Sequence, residues 1–154
     1  MEKISTYEAI WFTGQSGAGK TVLGQRLKNY LSEKNPQHKY VIIDGDDIRE
    51  MFENKDYSAE GRLKNVKFVQ DLCGFLIKNN IKPIVSMVSP NLTQRENFKS
   101  KYKVLEIFIS CNEMRGREHF HVDYYEAPRM NFISLDSSYK EVEDTFQELL
   151  KVGI

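Results

Sequence analysis

Short apolar runs alternate along the chain with longer segments in which apolar residues recur at helical spacing. The apolar runs predict strands, at residues 9–13, 40–43, 83–88, 104–109 and, more weakly, 132–135. Helical spacing predicts helices, at residues 21–32, from Ser58 past Leu76, and at 141–150. Strands that are apolar almost throughout and alternate with helices indicate a parallel sheet covered on both faces. We therefore predict a single α/β domain over residues 1–154, with a five-stranded parallel sheet.

Charge and composition narrow the class of protein. The 22 basic and 22 acidic residues give no net charge, so charge does not support non-specific binding to nucleic acid or membranes. The first eight residues do not resemble a signal peptide, and no window has the ~20 apolar residues of a membrane span. Cys73 and Cys111 lack CxxC spacing, and we expect two reduced thiols packed in the core. These features predict a cytoplasmic protein.

A glycine-rich segment, GQSGAGKT, joins the first predicted strand to the first predicted helix and matches GxxxxGK[ST] at every fixed position. The glycines let successive N–H groups point at phosphates, and the helix that follows adds a partial positive charge. Lys20 would reach the β- and γ-phosphates of ATP, and the Thr21 hydroxyl would bind Mg²⁺. Switches, motors and kinases share this motif, so it predicts nucleotide binding rather than one reaction. The residues assigned to the loop are Gly14, Ser16, Gly17, Ala18, Gly19, Lys20 and Thr21.

Carboxylates follow the second predicted strand, in the sequence DGDD that begins at Asp44. The carboxyl ends of parallel strands lie at the same edge as the phosphate-binding loop. A kinase needs one carboxylate near Mg²⁺ and one that orients or deprotonates the attacking hydroxyl, and Asp44 and Asp46 could supply both. Alternatively, Asp46 or Asp47 caps a helix that begins near Ile48, a role compatible with facing the cleft.

Five motifs, taken in order, resemble those of the adenylylsulfate (APS) kinase family. The loop fits the family's GxSGxGK[ST], and DGDDIR at 44–49 is similar to DGDNxR with Asp in place of Asn. Further along, YSAEGRLKNV at 57–66 is similar to FSxxxRxxNI, VSMVSP at 85–90 to VSxISP, and YEAP lies at 125–128. The resemblance implies a P-loop kinase that transfers the γ-phosphate of ATP to the 3′-hydroxyl of the APS ribose.

The resemblance also implies roles for single residues. Lys20, Asp44 and Asp46 would be catalytic, and Thr21 with Asp44 would hold Mg²⁺. Two guanidinium groups suit an acidic nucleotide because each can bind a phosphate or sulfate bidentately, although spacing alone would place both arginines on a solvated helix face. The family often dimerises, which makes a homodimer an expectation. The residues assigned to the acceptor are Asp46, Arg49, Arg62, Asn65 and Ser89.

The chain departs from the family before YEAP. The family has a basic lid there, with an RDxKGLYKKA-like phrase and an NFTG phrase, whereas this chain has only RGREHFHVD at 115–123. We expect Arg115 or Arg117 to reach the transferring phosphate and Phe120 to be available for stacking on a base. His119 and His121 are too few for a metal site without further ligands.

A shortened lid affects the choice of acceptor more than the phosphate chemistry. APS is the acceptor by resemblance, and the same chemistry on a cytidine diphosphate derivative is an alternative, as in relatives that phosphorylate cytidine diphosphoramidate in capsule modification. A catalytically silent nucleotide-binding module is a further alternative. The intact set of Lys20, Thr21, Asp44 and Asp46 argues against a silent module. A P-loop switch would need a segment that responds to the γ-phosphate, and the sequence has no motif for one.

Overall fold

The apolar runs form strands that pair in parallel in one sheet. The computed structural model describes residues 3–153, and the strands within them are β1 (Ala9–Thr13), β2 (Lys39–Asp44), β3 (Ile81–Ser86), β4 (Val104–Ser110) and β5 (Phe132–Asp136). Their order across the sheet is β2-β3-β1-β4-β5, with every pairing parallel. All residues of the central strand β1 are buried, which explains why its sequence is apolar without alternation.

Helices cover both faces of this sheet, as the alternation predicts. They are α1 (Lys20–Lys34), α2 (Gly45–Met51), α3 (Ala59–Lys78), α4 (Leu92–Lys101) and α5 (Val142–Gly153). Alternate residues of β1 separate the core in two: Ile10 packs with apolar residues of α1 and α5, whereas Trp11 packs with those of α3 and α4. The predicted fold class is therefore confirmed. No helix within residues 3–153 is long and apolar enough to cross a membrane.

Helix α2 begins earlier than the sequence predicts. The alternative that Asp46 or Asp47 caps a helix beginning near Ile48 is wrong: the cap is Asp44, whose carboxylate accepts from the Asp46 N–H at 2.9 Å. Asp44 ends β2 with an extended backbone, which is the conformation that an N-cap residue requires. Asp46 and Asp47 lie instead in the first turn, where negative charge is favourable.

Helix α4 has no counterpart among the predicted helices. Asn91 caps it by accepting from the Gln94 N–H at 2.8 Å. Its buried residues are Arg95 and Phe98, so the face that packs against the protein contains a guanidinium group as well as an apolar side chain. Helical spacing of apolar residues could not reveal a helix of this kind.

Both cysteines are free thiols. Cys73 is buried among apolar residues of the α3 side, and burial raises the pKa of its thiol to about 12. Cys111 is half-buried and packs against the opposite core.

Candidate active site

A cavity of about 420 Å³ opens where the carboxyl ends of β1, β2 and β3 meet. Its wall combines the phosphate-binding loop, the start of α2, the first turns of α3, the loop after β3 and the shortened lid. Of the residues predicted for the site, Gly14 and Ala18 are outside the wall. The predicted residues on the wall are Ser16, Gly17, Gly19, Lys20, Thr21, Asp44, Asp46, Arg49, Arg62, Asn65, Ser89 and Arg115.

The phosphate-binding loop depends on glycine backbone geometry. Gly14 has φ 146°, and a Cβ atom there would lie 2.3 Å from the Ile109 carbonyl oxygen of β4, so only glycine fits. The left-handed Gly19, φ 99°, ends the loop and begins α1, whose first N–H groups therefore face the cavity. Ala18 is buried, and its carbonyl accepts from the Ser137 hydroxyl at 2.7 Å. The loop is thus fixed from both sides by neighbouring segments.

Lys20 is almost fully buried at the base of the loop. Its ammonium group donates to the Gln15 carbonyl at 2.7 Å. Burial lowers the pKa of Lys20 to about 8, although the nearby carboxylates of Asp44 and Asp46 act in the opposite direction. Arg117 adds to the lowering. The ammonium group is therefore a positive charge that an anion in the cavity would stabilise.

Thr21 and Asp44 lie side by side at the mouth of the loop. The Thr21 hydroxyl donates to Asp44 Oδ2 at 2.6 Å, while Asp44 Oδ1 caps α2. A hydroxyl and a carboxylate are oxygen donors of the type that Mg²⁺ prefers. Within residues 3–153, no group of three or more His, Cys, Asp or Glu side chains could hold a metal ion. A cation here would therefore need further oxygens from a ligand or water.

Two arginines share one aromatic ring on the opposite side of the cavity. The guanidinium groups of Arg49 and Arg62 lie 4.1 and 5.4 Å from the centre of the Tyr57 ring. Arg49 is buried and donates to the Asp56 carbonyl at 2.9 Å; burial is the main reason that its pKa is lowered. The solvated helix face that spacing alone suggested is therefore wrong for Arg49, whereas Arg62 is half-buried on the cavity wall. The sequence prediction missed Tyr57, although it aligns with the Phe of FSxxxRxxNI.

The loop after β3 is held by hydrogen bonds from Trp11 and Arg95. Ser89 is buried with φ 48°, and its hydroxyl accepts from the Trp11 indole N–H at 2.8 Å. Arg95 donates to the Ser89 carbonyl at 2.6 Å and to the Glu126 carbonyl at 2.5 Å. These contacts were not predicted, because Trp11 is 78 residues from Ser89 and Glu126 is 31 residues from Arg95, and the sequence does not show that the Arg95 side chain is buried.

The YEAP motif supports the same loop. The Tyr125 hydroxyl hydrogen bonds with the Thr13 hydroxyl at 2.7 Å, and Thr13 donates to the Val88 carbonyl at 2.8 Å. The Glu126 N–H donates to the Pro90 carbonyl at 2.9 Å. Burial raises the pKa of Tyr125 to about 12. The motif is therefore structural in this chain and fixes one wall of the cavity.

The lid brings its arginines to the cavity but not its phenylalanine. Arg115 and Arg117 lie on the wall, whereas Phe120 is outside it, with the Arg117 guanidinium 5.0 Å from its ring centre. Arg115 is oriented by Glu113 at 3.1 Å and by the Ser137 carbonyl at 2.7 Å. The lid thus adds positive charge rather than an aromatic surface.

A phosphate-binding loop, carboxylates beyond β2 and arginines on the facing wall together define a P-loop phosphotransferase. Residues 7–146 match the model of the adenylylsulphate kinase family. A probable adenylyl-sulfate kinase from Archaeoglobus fulgidus is 33% identical over 141 residues, which cover 88% of this chain and 90% of that protein. The adenylyl-sulfate kinase of Deinococcus deserti is 28% identical over 169 residues, covering 97% and 92%. The chain belongs to the adenylylsulphate kinase family.

Solved structures share the fold. The Mycobacterium tuberculosis APS kinase in complex with AMPPNP and APS superposes with a TM-score of 0.78 at 20% identity, covering 95% of this chain and 96% of that one. A gluconokinase from Sinorhizobium meliloti gives a TM-score of 0.66 at 15% identity, covering 94% and 93%. The expected P-loop kinase fold, the family resemblance and the class of enzyme, a phosphotransferase with an alcohol acceptor, are confirmed.

Proposed function

We propose that this chain transfers the γ-phosphate of ATP to the 3′-hydroxyl of the ribose of adenylylsulfate. The observation that carries the proposal is a single cavity with the phosphate-binding loop on one side and two arginines against one tyrosine ring on the other. Relatives named adenylyl-sulfate kinases support this acceptor, and the Mycobacterium tuberculosis complex supports both ligands.

The loop side of the cavity suits a polyanion. The N-terminus of α1 supplies free N–H groups, and Lys20 supplies a charge. A backbone carbonyl is a weaker partner for an ammonium group than a phosphate oxygen is. We therefore expect Lys20 to leave the Gln15 carbonyl and bind the β- and γ-phosphates of ATP. Arg115, on the same wall, would contact the phosphates as well.

The donor atoms of Thr21 and Asp44 fit a magnesium ion. One hydroxyl and one carboxylate leave most of an octahedral shell to phosphate oxygens and water, which is how proteins usually bind Mg²⁺ with a nucleotide. The ion would neutralise part of the charge on the β- and γ-phosphates. Both side chains are already in contact, so little rearrangement is needed to form the protein's part of the site.

The acceptor would lie between α2, α3 and the loop after β3. Asp46 is exposed on the wall and would orient or deprotonate the attacking hydroxyl. Arg49 and Arg62 would bind the anionic tail, since a guanidinium group matches phosphate and sulfate geometry. Asn65 and Ser89 would supply the remaining polar contacts.

The direct test is to incubate the protein with Mg-ATP and APS and to follow ADP release together with the phosphorus spectrum of the product. A new 3′-phosphate on APS is the expected result. The Asp46→Asn variant should lose turnover by roughly two orders of magnitude or more while retaining ATP affinity at pH 7, because it removes the group that acts on the acceptor hydroxyl and leaves Lys20 charged at that pH. Asp47→Asn is the matched control, since Asp47 is exposed in the same turn but outside the cavity wall.

The same chemistry on a cytidine diphosphate derivative is the second candidate. The observation that favours it is the short lid, which leaves Phe120 outside the cavity wall and so removes an aromatic surface for the base. Cytidine diphosphoramidate belongs in the same assay. Phosphate transfer to that compound, with APS inert, would replace the first proposal. Absence of transfer to either, with ATP still bound, would favour a silent nucleotide-binding module.

A further inference from the structure

Three consecutive residues of the phosphate-binding loop contact the lid. The Gln15 side-chain amide donates from Nε2 to the Val122 carbonyl at 2.8 Å, and the Val122 N–H donates to Gln15 Oε1 at 2.9 Å. His121 Nε2 lies 3.1 Å from the Ser16 carbonyl oxygen, and Arg115 donates to the Gly17 carbonyl at 3.3 Å. The lid is thus attached to the loop near both of its ends.

The pair between Gln15 and Val122 is the most specific of these contacts. Both polar atoms of the amide are used, and both bond to the backbone of one residue, in the way that a neighbouring strand would. The Val122 side chain is buried, so this end of the lid is also held by packing against the protein. The pairing therefore depends on the length and the amide chemistry of Gln15 and not on the identity of its partner.

The lid is organised internally as well. The Glu118 carboxylate accepts from the Arg115 N–H at 2.5 Å and from the Gly116 N–H at 3.3 Å, which closes a tight turn. That turn holds Arg117 against the loop: a Cβ atom added at Gly17 would lie 3.0 Å from Arg117 Cβ. A unit folded in this way moves as one piece, so an attachment at Val122 also determines where the arginines lie.

We propose that Gln15 is a positioning residue that docks the shortened lid on the phosphate-binding loop, so that Arg115 and Arg117 stay at the cavity and water is kept from the transferring phosphate. This inference rests on the proposed kinase function. Its physical reason is that a positioned cation stabilises the transferring phosphate only while it is fixed, and an open lid lets water compete with the acceptor hydroxyl. The Gln15 side chain acts through the lid and is not on the cavity wall.

The test uses substitutions that separate hydrogen bonding from side-chain size. Gln15→Met keeps the length of the side chain and removes both hydrogen bonds. Gln15→Asn keeps the amide but is one methylene too short to reach Val122. The control is Gln25→Met on the exposed side of α1, where the amide donates to Asn29 at 3.1 Å and does not contact the lid. Melting temperature and ATP affinity are measured for all of them.

Two measurements test whether Gln15 docks the lid and positions its arginines. Tryptic cleavage after Arg115 and Arg117, followed by mass spectrometry, reports lid detachment without any assay of activity. We expect both Gln15 variants to be cleaved about tenfold faster than the wild type, the scale of losing two hydrogen bonds. In the transfer assay, both should lower kcat about tenfold and release more ADP per phosphorylated acceptor. ATP affinity should fall less than kcat, because Lys20 and the N-terminus of α1 still bind the phosphates when Arg115 is displaced.

The outcomes separate this inference from the proposed function. Unchanged cleavage in Gln15→Met would overturn the docking role whatever the acceptor proves to be. Faster cleavage with unchanged kcat and unchanged ADP-to-product ratio would overturn the positioning role, as would wild-type behaviour of Gln15→Asn. A wild-type protein that phosphorylates no acceptor would overturn the proposed function instead, and the cleavage result would still decide the docking.

Discussion

The indole N–H of Trp11 donates a hydrogen bond to the Ser89 hydroxyl at 2.8 Å, across 78 residues of sequence. Trp11 lies on the central strand, and Ser89 lies in the loop that forms one wall of the cavity. The bond fixes a residue whose φ of 48° is unfavourable for a side chain with a Cβ atom. The core of the protein therefore determines the shape of the candidate acceptor site directly.

Removing this hydrogen bond should affect the acceptor more than ATP. Trp11→Phe keeps an aromatic ring in the core and deletes the donor, so we expect a loss of about 1 kcal/mol in the free energy of unfolding. We also expect a higher KM for the acceptor with little change in the KM for ATP. Steady-state kinetics with each substrate varied in turn would check this. An equal rise in both KM values would contradict it.

The buried ion pair between Arg95 and Glu106 should matter strongly for stability. Their side chains are only 3% and 1% exposed, and they meet at 2.7 Å. Arg95→Met should lower the free energy of unfolding by about 3–5 kcal/mol, because it leaves a buried carboxylate with less compensation. Urea denaturation measures the loss, and adding Glu106→Gln should restore part of it.

An exposed ion pair provides the comparison. Arg26 and Glu143 meet at 3.1 Å with side chains that are 38% and 54% exposed. Arg26→Met should cost about 1 kcal/mol or less. Equal losses for Arg26→Met and Arg95→Met would mean that burial does not control the contribution of these pairs.

Tyr57 should be a determinant of acceptor binding. Its ring is the surface on which the guanidinium groups of Arg49 and Arg62 lie, and cation–π contacts of this kind are worth about 0.5–1 kcal/mol each at exposed sites. Tyr57→Leu should raise the KM for the acceptor about tenfold, as expected from losing both contacts. Tyr57→Phe keeps the ring and should behave like the wild type. A large effect of Tyr57→Phe would point to the hydroxyl instead.

Nucleotide binding should weaken at alkaline pH through Lys20. Burial lowers the pKa of Lys20 from 10.5 to about 8, so the free protein loses this charge as the pH rises past about 8. We expect ATP affinity, measured by calorimetry between pH 7 and 9.5, to fall through that range. Lys20→Arg keeps its charge and should not show this dependence. Lys20→Ala should lower transfer by roughly two orders of magnitude or more at any pH.

The lowered pKa of Lys20 also makes the free energy of unfolding depend on pH. Because the folded-state pKa of Lys20 is below that of the unfolded chain, the unfolded state binds more protons between about pH 8 and 10.5. The contribution of Lys20 to the free energy of unfolding therefore rises with pH across this window. Lys20→Met should remove that rise, which urea denaturation at several pH values would measure.

Much of the fold could be predicted because its signals are local. The strands are apolar runs, the phosphate-binding loop has fixed spacing, and Ser58 caps α3 as its position before the helical pattern suggests. Strand boundaries were displaced where apolar residues continue past the sheet: the predicted run 83–88 ends as β3 at Ser86, and Met87 belongs to the cavity wall.

The remainder of the site could not be predicted because it depends on contacts between distant residues. The burial of Arg49 follows from the turn that brings Asp56 against it, and spacing alone predicts the opposite. Helix α4 was missed because its buried face contains the guanidinium group of Arg95, whose charge is neutralised by Glu106 of strand β4. Gln15 occupies a variable position of the loop motif, so the motif gives it no role. Its contact with Val122, 107 residues away, is visible only in the structure.

The position of β5 at the edge of the sheet has a consequence for how such enzymes can diversify. The lid lies between β4 and β5, and β5 pairs with β4 alone, so shortening the lid leaves the register of β1, β2 and β3 untouched. The phosphate-binding loop and the carboxylates belong to β1 and β2, on the other part of the sheet. Insertions and deletions in this one connection can therefore change the part of the cavity wall that Arg115 and Arg117 form, while the phosphate-binding loop stays as it is.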